Sequence, residues 1–335
     1  MIWYKKDSDT DPYKELWQRK EWLFPMEDPE RTIFPLIITV EPTNACQNKC
    51  LYCSRLLMKR KSGFMNLDTM EKIAKEAGEN KVAIRHGGFG EPLLHPKITE
   101  LVEICKKHNA LTTIFTNCNR LTEDMMRSFV KSGLDEIRFS SSGITDEEHN
   151  MIRKNSNYQA DFDEKIMMAY RIREEMNSDK PFFTIYTNVI SYDDDTFKEN
   201  IEAYKKKYIQ FADKIDIDLT MFSRVKELKH VKSLYQKQTI NEQHKPCVTL
   251  FLKVIVHWNG DVYACDIPYN HEDTYYLGNM HDKGFTIKKS YNSEKIKKLR
   301  GDLSFDLKHN EYKLCKDCFS NTNKWETKSW LNDKL

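Results

Sequence analysis

Residues 41–55 read EPTNACQNKCLYCSR and place Cys46, Cys50 and Cys53 in the spacing C-x3-C-x2-C. Thiolates that close together in one loop point to metal. Structural zinc takes four protein ligands, and each iron of a [4Fe–4S] cube takes one thiolate. Three cysteines on a cube would leave one iron open to a small molecule. A second group, Cys247, Cys265, Cys315 and Cys318, follows C-x17-C-x49-C-x2-C. Four thiolates saturate either one zinc ion or one cube, with no position left open. Cys105 and Cys118 stand apart from both groups.

The chain has 335 residues, with 53 Lys and Arg against 51 Asp and Glu. That balance gives no basic field for nucleic acid and no polybasic run for a membrane surface. No apolar stretch approaches the roughly 20 residues of a spanning helix. The N-terminal residues have no apolar signal core, so a cytoplasmic location is expected. In a reducing compartment, clustered cysteines read as ligands or catalytic groups rather than disulfides.

The elements that must position these residues follow from periodicity. LIITV (36–40) reads as a short buried strand running straight into the three-cysteine loop. Further strands are expected at 81–86, 111–116, 134–140, 181–190 and 214–222, separated by helical patterns at 67–78, 97–108, 122–132, 162–176 and 197–208. Strands alternating with helices imply parallel βαβ units, too few for a closed eight-fold barrel. Such sheets gather chemistry at the C-terminal ends of their strands. The cysteine loop, GGFGEP, TNCN and SSSG all follow strands at that end. After about residue 235 the rhythm stops. Two apolar runs joined by Asn259-Gly260 predict a β-hairpin with a type I′ turn, and Cys265 lies at its far end.

With these motifs on the page, the sequence resembles the radical S-adenosylmethionine (SAM) family. The three-cysteine spacing with an aromatic, Tyr52, before the last cysteine carries the resemblance, as does its position after a first strand. The resemblance implies a partial (β/α)6 barrel, a [4Fe–4S] cluster on Cys46, Cys50 and Cys53, and SAM on the open iron. Cleavage of SAM would give a 5′-deoxyadenosyl radical that removes a hydrogen atom from substrate. Gly90 and Glu91 in FGEPLLHP resemble the family's glycine–glutamate motif, implying contact with the SAM amino group. Phe89 stands where the family has glycine. Ser140 matches a serine near the SAM ribose. Ser142 stands where relatives often have aspartate. Arg153 matches an arginine near the SAM carboxylate, and a solvated helix arginine is the other reading.

Cys247, the hairpin, Cys265, LGNM (277–280) and CKDC resemble the Twitch extension, a shortened SPASM domain. It implies one auxiliary [4Fe–4S] cluster on Cys247, Cys265, Cys315 and Cys318. The domains expected are an extension (1–35), a barrel (36–238) and an auxiliary domain (239–335). Cys105 completes the apolar face of its helix and reads as a core thiol. Cys118 follows the third strand where relatives have glycine; it reads as a hydrogen-atom donor or as a loop residue without a role. His86 and His95 flank the glycine–glutamate motif, with a structural role ahead of a substrate contact.

These features lead to an expected oxidoreductase or epimerase acting on a carbohydrate, aminocyclitol or nucleotide-linked sugar, fed electrons by a flavodoxin or ferredoxin. The alternatives are epimerisation or cross-linking of a ribosomally made peptide, and a non-enzymatic zinc protein.

Overall fold

The computed structural model describes residues 1–5, 8–19, 32–154, 156–157, 159–190, 195–219, 246–316 and 318. Its strands are β1 (Ile2–Tyr4), β2 (Ile37–Val40), β3 (Lys49–Cys50), β4 (Ala83–His86), β5 (Leu111–Thr116), β6 (Glu136–Ser142), β7 (Arg153–Lys154), β8 (Phe182–Val189), β9 (Lys214–Leu219), β10 (Lys253–Val256), β11 (Asp261–Tyr263) and β12 (Tyr276–Asn279). The larger helices are α1 (Lys14–Gln18), α2 (Leu67–Glu79), α3 (Ile98–Lys107), α4 (Glu123–Ser132), α5 (Asp146–Ile152), α6 (Glu164–Glu175) and α7 (Asp195–Tyr208).

One sheet runs in the order β1-β9-β8-β6-β5-β4-β2-β10-β11-β12. Within it β2, β4, β5, β6, β8 and β9 are parallel, giving the six-stranded partial barrel. The helices form because each has a start signal and an apolar stripe. Asn66 caps α2 by accepting from the Thr69 amide, and α2 buries Met70, Ile73, Ala74 and Ala77. Thr122 caps α4 by accepting from the Met125 amide, and Gly133, with φ +71°, ends it. Cys105 completes the buried face of α3, its sulfur 3.6 Å from Met70 Sδ and from His86 Nε2.

Alternation along the strands gives the barrel two different faces. Ile38, Val40, Ile84, Ile114, Ile137, Phe139, Phe183, Ile185, Ile215 and Ile217 join the helices in the main core. The opposite, luminal face is polar. Glu136 accepts from Thr113, Thr184 and Arg138, at 3.0, 2.7 and 2.9 Å. Phe115 and Tyr186 meet edge to face on the same side, 5.6 Å between ring centroids.

Residues 1–5 and 8–19, for which the sequence offered no structural reading, serve the barrel. β1 pairs antiparallel with β9 and covers the sheet edge. Tyr13 and Leu16 pack against Leu36, Ile37 and Ala83, closing the end where the strands begin.

One expectation changes at the C-terminal end. The hairpin forms, but only Gly260 has a positive φ (+88°) and Asn259 does not. A type I′ turn needs both, so the turn is of another type, with the Gly260 amide donating to the His257 carbonyl at 2.9 Å. In addition, β10 pairs in parallel with β2 across four residues. The C-terminal strands therefore extend the barrel's own sheet. The boundary placed at 238/239 lies outside the described residues.

Candidate active site

The three-cysteine loop is built by hydrogen bonds to its own flanks. Thr43 donates to the Gly63 carbonyl (2.7 Å) and Asn44 to the Lys61 carbonyl (2.9 Å). β3, which contains Cys50, pairs with β7, bringing Cys50 opposite Arg153. The Leu51 amide donates to the Ile152 carbonyl at 2.9 Å. Residues about 100 positions apart are thus held as one piece.

That pairing assembles four of the sequence-predicted SAM residues. Arg153, 3 % exposed, donates from Nε to Ser142 Oγ at 2.9 Å. Its Nη2 donates to Ser140 Oγ at 2.7 Å, to the Ser141 carbonyl at 3.0 Å and to Tyr52 Oη at 3.2 Å. Tyr52 Oη and Ser142 Oγ are 3.0 Å apart. No carboxylate pairs with Arg153 among the described residues. A buried guanidinium with only neutral partners is suited to receive a carboxylate. The solvated-arginine reading of Arg153 is thereby excluded.

Gly90 and Glu91 sit against the start of the same loop. The Glu91 amide donates to the Ala45 carbonyl at 2.8 Å. Glu91 itself is spoken for. Oε1 accepts from the Leu93 amide (3.0 Å) and Thr116 Oγ1 (2.7 Å), and Oε2 from the Asn117 amide (2.8 Å). Burial raises its carboxyl pKa, against which these hydrogen bonds work. Oε2 keeps acceptor capacity for one further donor.

Sequence reading missed a polar group on the other flank. Asn117 Nδ2 lies 3.6 Å from Cys46 Sγ, and Gln47 donates to Asn117 Oδ1 at 2.9 Å. Asn119 reaches Asn48 at 3.3 Å and Asp161 at 2.9 Å. Gln47 Oε1, Asn48 Nδ2 and Asn119 Oδ1 are buried with no hydrogen-bond partner. Orphaned polar atoms beside three cysteines mark a place prepared for another group.

Cys118 stands at the expected strand end, but its side chain is fully buried in the main core. Its sulfur lies 3.8 Å from the Thr116 carbonyl, and burial pushes its thiol pKa well up. His95 is structural: Nε2 meets the Met65 carbonyl at 2.8 Å and Nδ1 accepts from the Lys97 amide at 3.1 Å. His86 is buried beside Cys105 on the helix side of β4, with its pKa lowered by burial to about 3.

Cys247, Cys265, Cys315 and Cys318 line one hollow, together with Tyr275, Leu250 and Leu303. Burial pushes the Cys247 and Cys315 thiols up to about 12. Thiols so placed become ligands only when a metal supplies the charge. Among the described residues, no three His, Cys, Asp or Glu side chains close around a single ion. Three thiols at the first site and four at the second are donor sets that iron–sulfur cubes take.

Between the two sites lies a clasp that sequence did not reveal. Arg60 holds the fully buried Glu41 through both guanidinium nitrogens, at 2.9 and 2.8 Å, and donates from Nε to the Tyr269 carbonyl at 2.8 Å. Beside it, Asn270 Oδ1 accepts from the Lys59 amide at 2.7 Å. Phe89 packs here, against Arg60, His257 and Tyr269.

The profile of the Radical SAM superfamily matches residues 40–203, and that of SPASM, an iron–sulfur cluster-binding domain, matches residues 247–319. The chain is 23 % identical over 320 residues to the tungsten-containing aldehyde ferredoxin oxidoreductase cofactor-modifying protein of Pyrococcus furiosus, covering 83 % of this chain and 86 % of that one. It is 29 % identical over 113 residues to the PqqA peptide cyclase of Gluconobacter oxydans, spanning about a third of each, 33 % and 32 %. Among solved structures it resembles BtrN in complex with AdoMet and 2-DOIA, with TM-score 0.55 and 17 % identity over 86 % of this chain and 94 % of that one. It also resembles Streptococcus suis SuiB bound to precursor peptide SuiA, with TM-score 0.59 and 15 % identity over 86 % and 72 %. These likenesses support the fold. No described helix is long and apolar enough to cross a membrane. The profile matches overturn the reading of a non-enzymatic zinc protein. The chain belongs to the radical SAM superfamily, as an enzyme that uses SAM and [4Fe–4S] clusters and carries a SPASM/Twitch-type iron–sulfur domain.

Proposed function

We propose that Cys46, Cys50 and Cys53 hold the open-site cluster and that Tyr52, Gly90, Glu91, Ser140, Ser142 and Arg153 line the SAM site. Cys247, Cys265, Cys315 and Cys318 hold one auxiliary cluster. The observation that carries this reading is the buried Arg153, surrounded by hydroxyls, without a carboxylate partner among the described residues and locked to the Cys50 strand. When bound, these groups supply a 5′-deoxyadenosyl radical that takes a hydrogen atom from a substrate C–H bond, and a second site for an electron. Arg153 orients a carboxylate, Ser140 and Ser142 offer hydroxyls beside it, and Glu91 fixes the strand ends to the cysteine loop.

The substrate reading favoured is a carbohydrate, aminocyclitol or nucleotide-linked sugar, dehydrogenated or epimerised. The polar character of the luminal face supports it: Thr113, Glu136, Arg138 and Thr184 hydrogen-bond one another there, beside Tyr186 and Phe115. Coverage of nearly all of BtrN, a protein bound to 2-DOIA, is consistent with it. A second reading, modification of a peptide, rests on the likeness to SuiB, seen with its precursor peptide, and to the PqqA peptide cyclase.

The test is anaerobic reconstitution with SAM and dithionite. 5′-Deoxyadenosine should form, and Arg153→Met should lower its rate at least tenfold. An undiminished rate in Arg153→Met rules out the assigned SAM site. Panels of aminocyclitols, sugar phosphates and short peptides then separate the substrate readings by which class raises 5′-deoxyadenosine above background.

A further inference from the structure

We infer that Arg85 binds an anionic group, phosphate or carboxylate, on a small polar substrate in the barrel lumen, an inference that rests on the sugar-like reading above. On β4, Ile84 lies in the main core and His86 beside Cys105 on the helix side. Arg85 alternates to the other face. Its register neighbours are Thr39 on β2 and Thr113 on β5. Its guanidinium lies 5.3 Å from the Phe115 ring, and Arg138 lies 5.2 Å from the same ring.

The cations of this face are not equivalent. Arg138 has Glu136 at 2.9 Å and Asp216 at 4.0 Å. Lys214 has Asp11 at 2.9 Å. Among the described residues Arg85 has no ion pair, and its buried Nε has no hydrogen-bond acceptor. The nearby carboxylate Glu41, two residues beyond Thr39, is held by Arg60. Thr113 Oγ1 is taken by Tyr13 and Glu136.

A partly buried cation without a counter-ion, carrying an unsatisfied donor, is a cost to the fold unless something fills it. A planar fork of N–H donors is matched by the paired oxygens of phosphate or carboxylate better than by a neutral hydroxyl. Across the lumen the charges of Arg138, Glu136 and Asp216, and those of Lys214 and Asp11, offset one another. Among the described cations of this face, Arg85 is the one left to take the anionic end of a polar substrate.

The experiment titrates orthophosphate and, separately, acetate into the reconstituted holoenzyme with SAM, by calorimetry at low ionic strength. Wild-type enzyme should bind at least one probe saturably. Arg85→Gln should bind it at least tenfold more weakly, with iron content and melting temperature reporting an intact fold. Preference for orthophosphate identifies a phosphate group, and preference for acetate a carboxylate. Should Arg85→Gln fail to fold, Arg85→Lys carries the test. It keeps a point charge but loses the fork, and affinity should fall severalfold. Equal affinity in wild type and either folded variant, or no binding by wild type, overturns the assignment of Arg85. Wild-type holoenzyme that makes no 5′-deoxyadenosine with SAM and reductant overturns instead the reading of the first cysteine site.

Discussion

Gly90 is a glycine because of what it touches. A Cβ there would lie 2.0 Å from the Thr43 carbonyl oxygen and 2.8 Å from that of Ala45, both backbone atoms of the cysteine loop. Neither can retreat without moving Cys46. Gly90→Ala should destabilise by about 1–3 kcal/mol and lower iron at the first site, read by melting and iron assay; unchanged iron would show the loop can yield. Cys118 is the converse case. It holds φ +71°, a left-handed conformation that favours glycine. Relief of that strain is worth roughly 1–2 kcal/mol, against about 0.4–1 kcal/mol for the added freedom of glycine in the unfolded chain. Cys118→Gly should therefore be more stable than Cys118→Ala, although glycine fills less space. Urea unfolding decides it, and alanine equal to or above glycine refutes the argument. The same burial weakens the donor reading, since a thiol sealed in the core offers its hydrogen to Thr116 and not to a ligand.

At the scale of elements, the six barrel strands and the helices between them were legible in the sequence, because periodicity and strand-end motifs are local signals. Ser140, Ser142 and Arg153 came instead from the family resemblance, which left the role of Ser142 and the burial of Arg153 open; the structure brings the three together. The Arg60–Glu41 clasp was not legible, because it joins a loop before α2 to residues after β2 and β11. Asn117 escaped for the same reason: its partner Cys46 is 71 positions away. The type I′ turn was misassigned because Gly260 alone absorbs the positive φ. The clasp invites a test of buried charge. Arg60→Met leaves the fully buried Glu41 unpaired, which costs about 3–5 kcal/mol. Adding Glu41→Gln removes that charge, so the double variant should be more stable than Arg60→Met alone. Thermal melts of the three variants check this; a double variant no more stable than Arg60→Met would mean that Arg60 acts mainly through Tyr269.

At the scale of the whole molecule, the two cysteine sites share one sheet. β10 covers the edge of β2, the strand that delivers the first cysteine loop, with Ile255 opposite Thr39 and Val256 opposite Val40. The Glu41 amide donates to the Val256 carbonyl at 2.9 Å, so the first residue after β2 depends on the C-terminal region. Leu250, Val254, Ile255 and Val256 are all buried in the same core as Ile38 and Val40. Emptying the auxiliary site and deleting the region that holds it should then have different outcomes. Cys315→Ala removes one ligand from the hollow lined by Cys247, Cys265 and Cys318. It should lose iron there and loosen the segment that carries Cys315, since metal binding and folding are coupled. β10 remains paired with β2, so 5′-deoxyadenosine formation should persist at a measurable rate. A chain ending at residue 245 loses β10, exposes the backbone groups along β2 and uncovers apolar core. It should be insoluble, or soluble but without iron at Cys46, Cys50 and Cys53. Iron content and 5′-deoxyadenosine from the two proteins, prepared side by side, give the answer. A soluble truncated chain that cleaves SAM would show that the barrel stands alone and that the shared sheet is only an attachment.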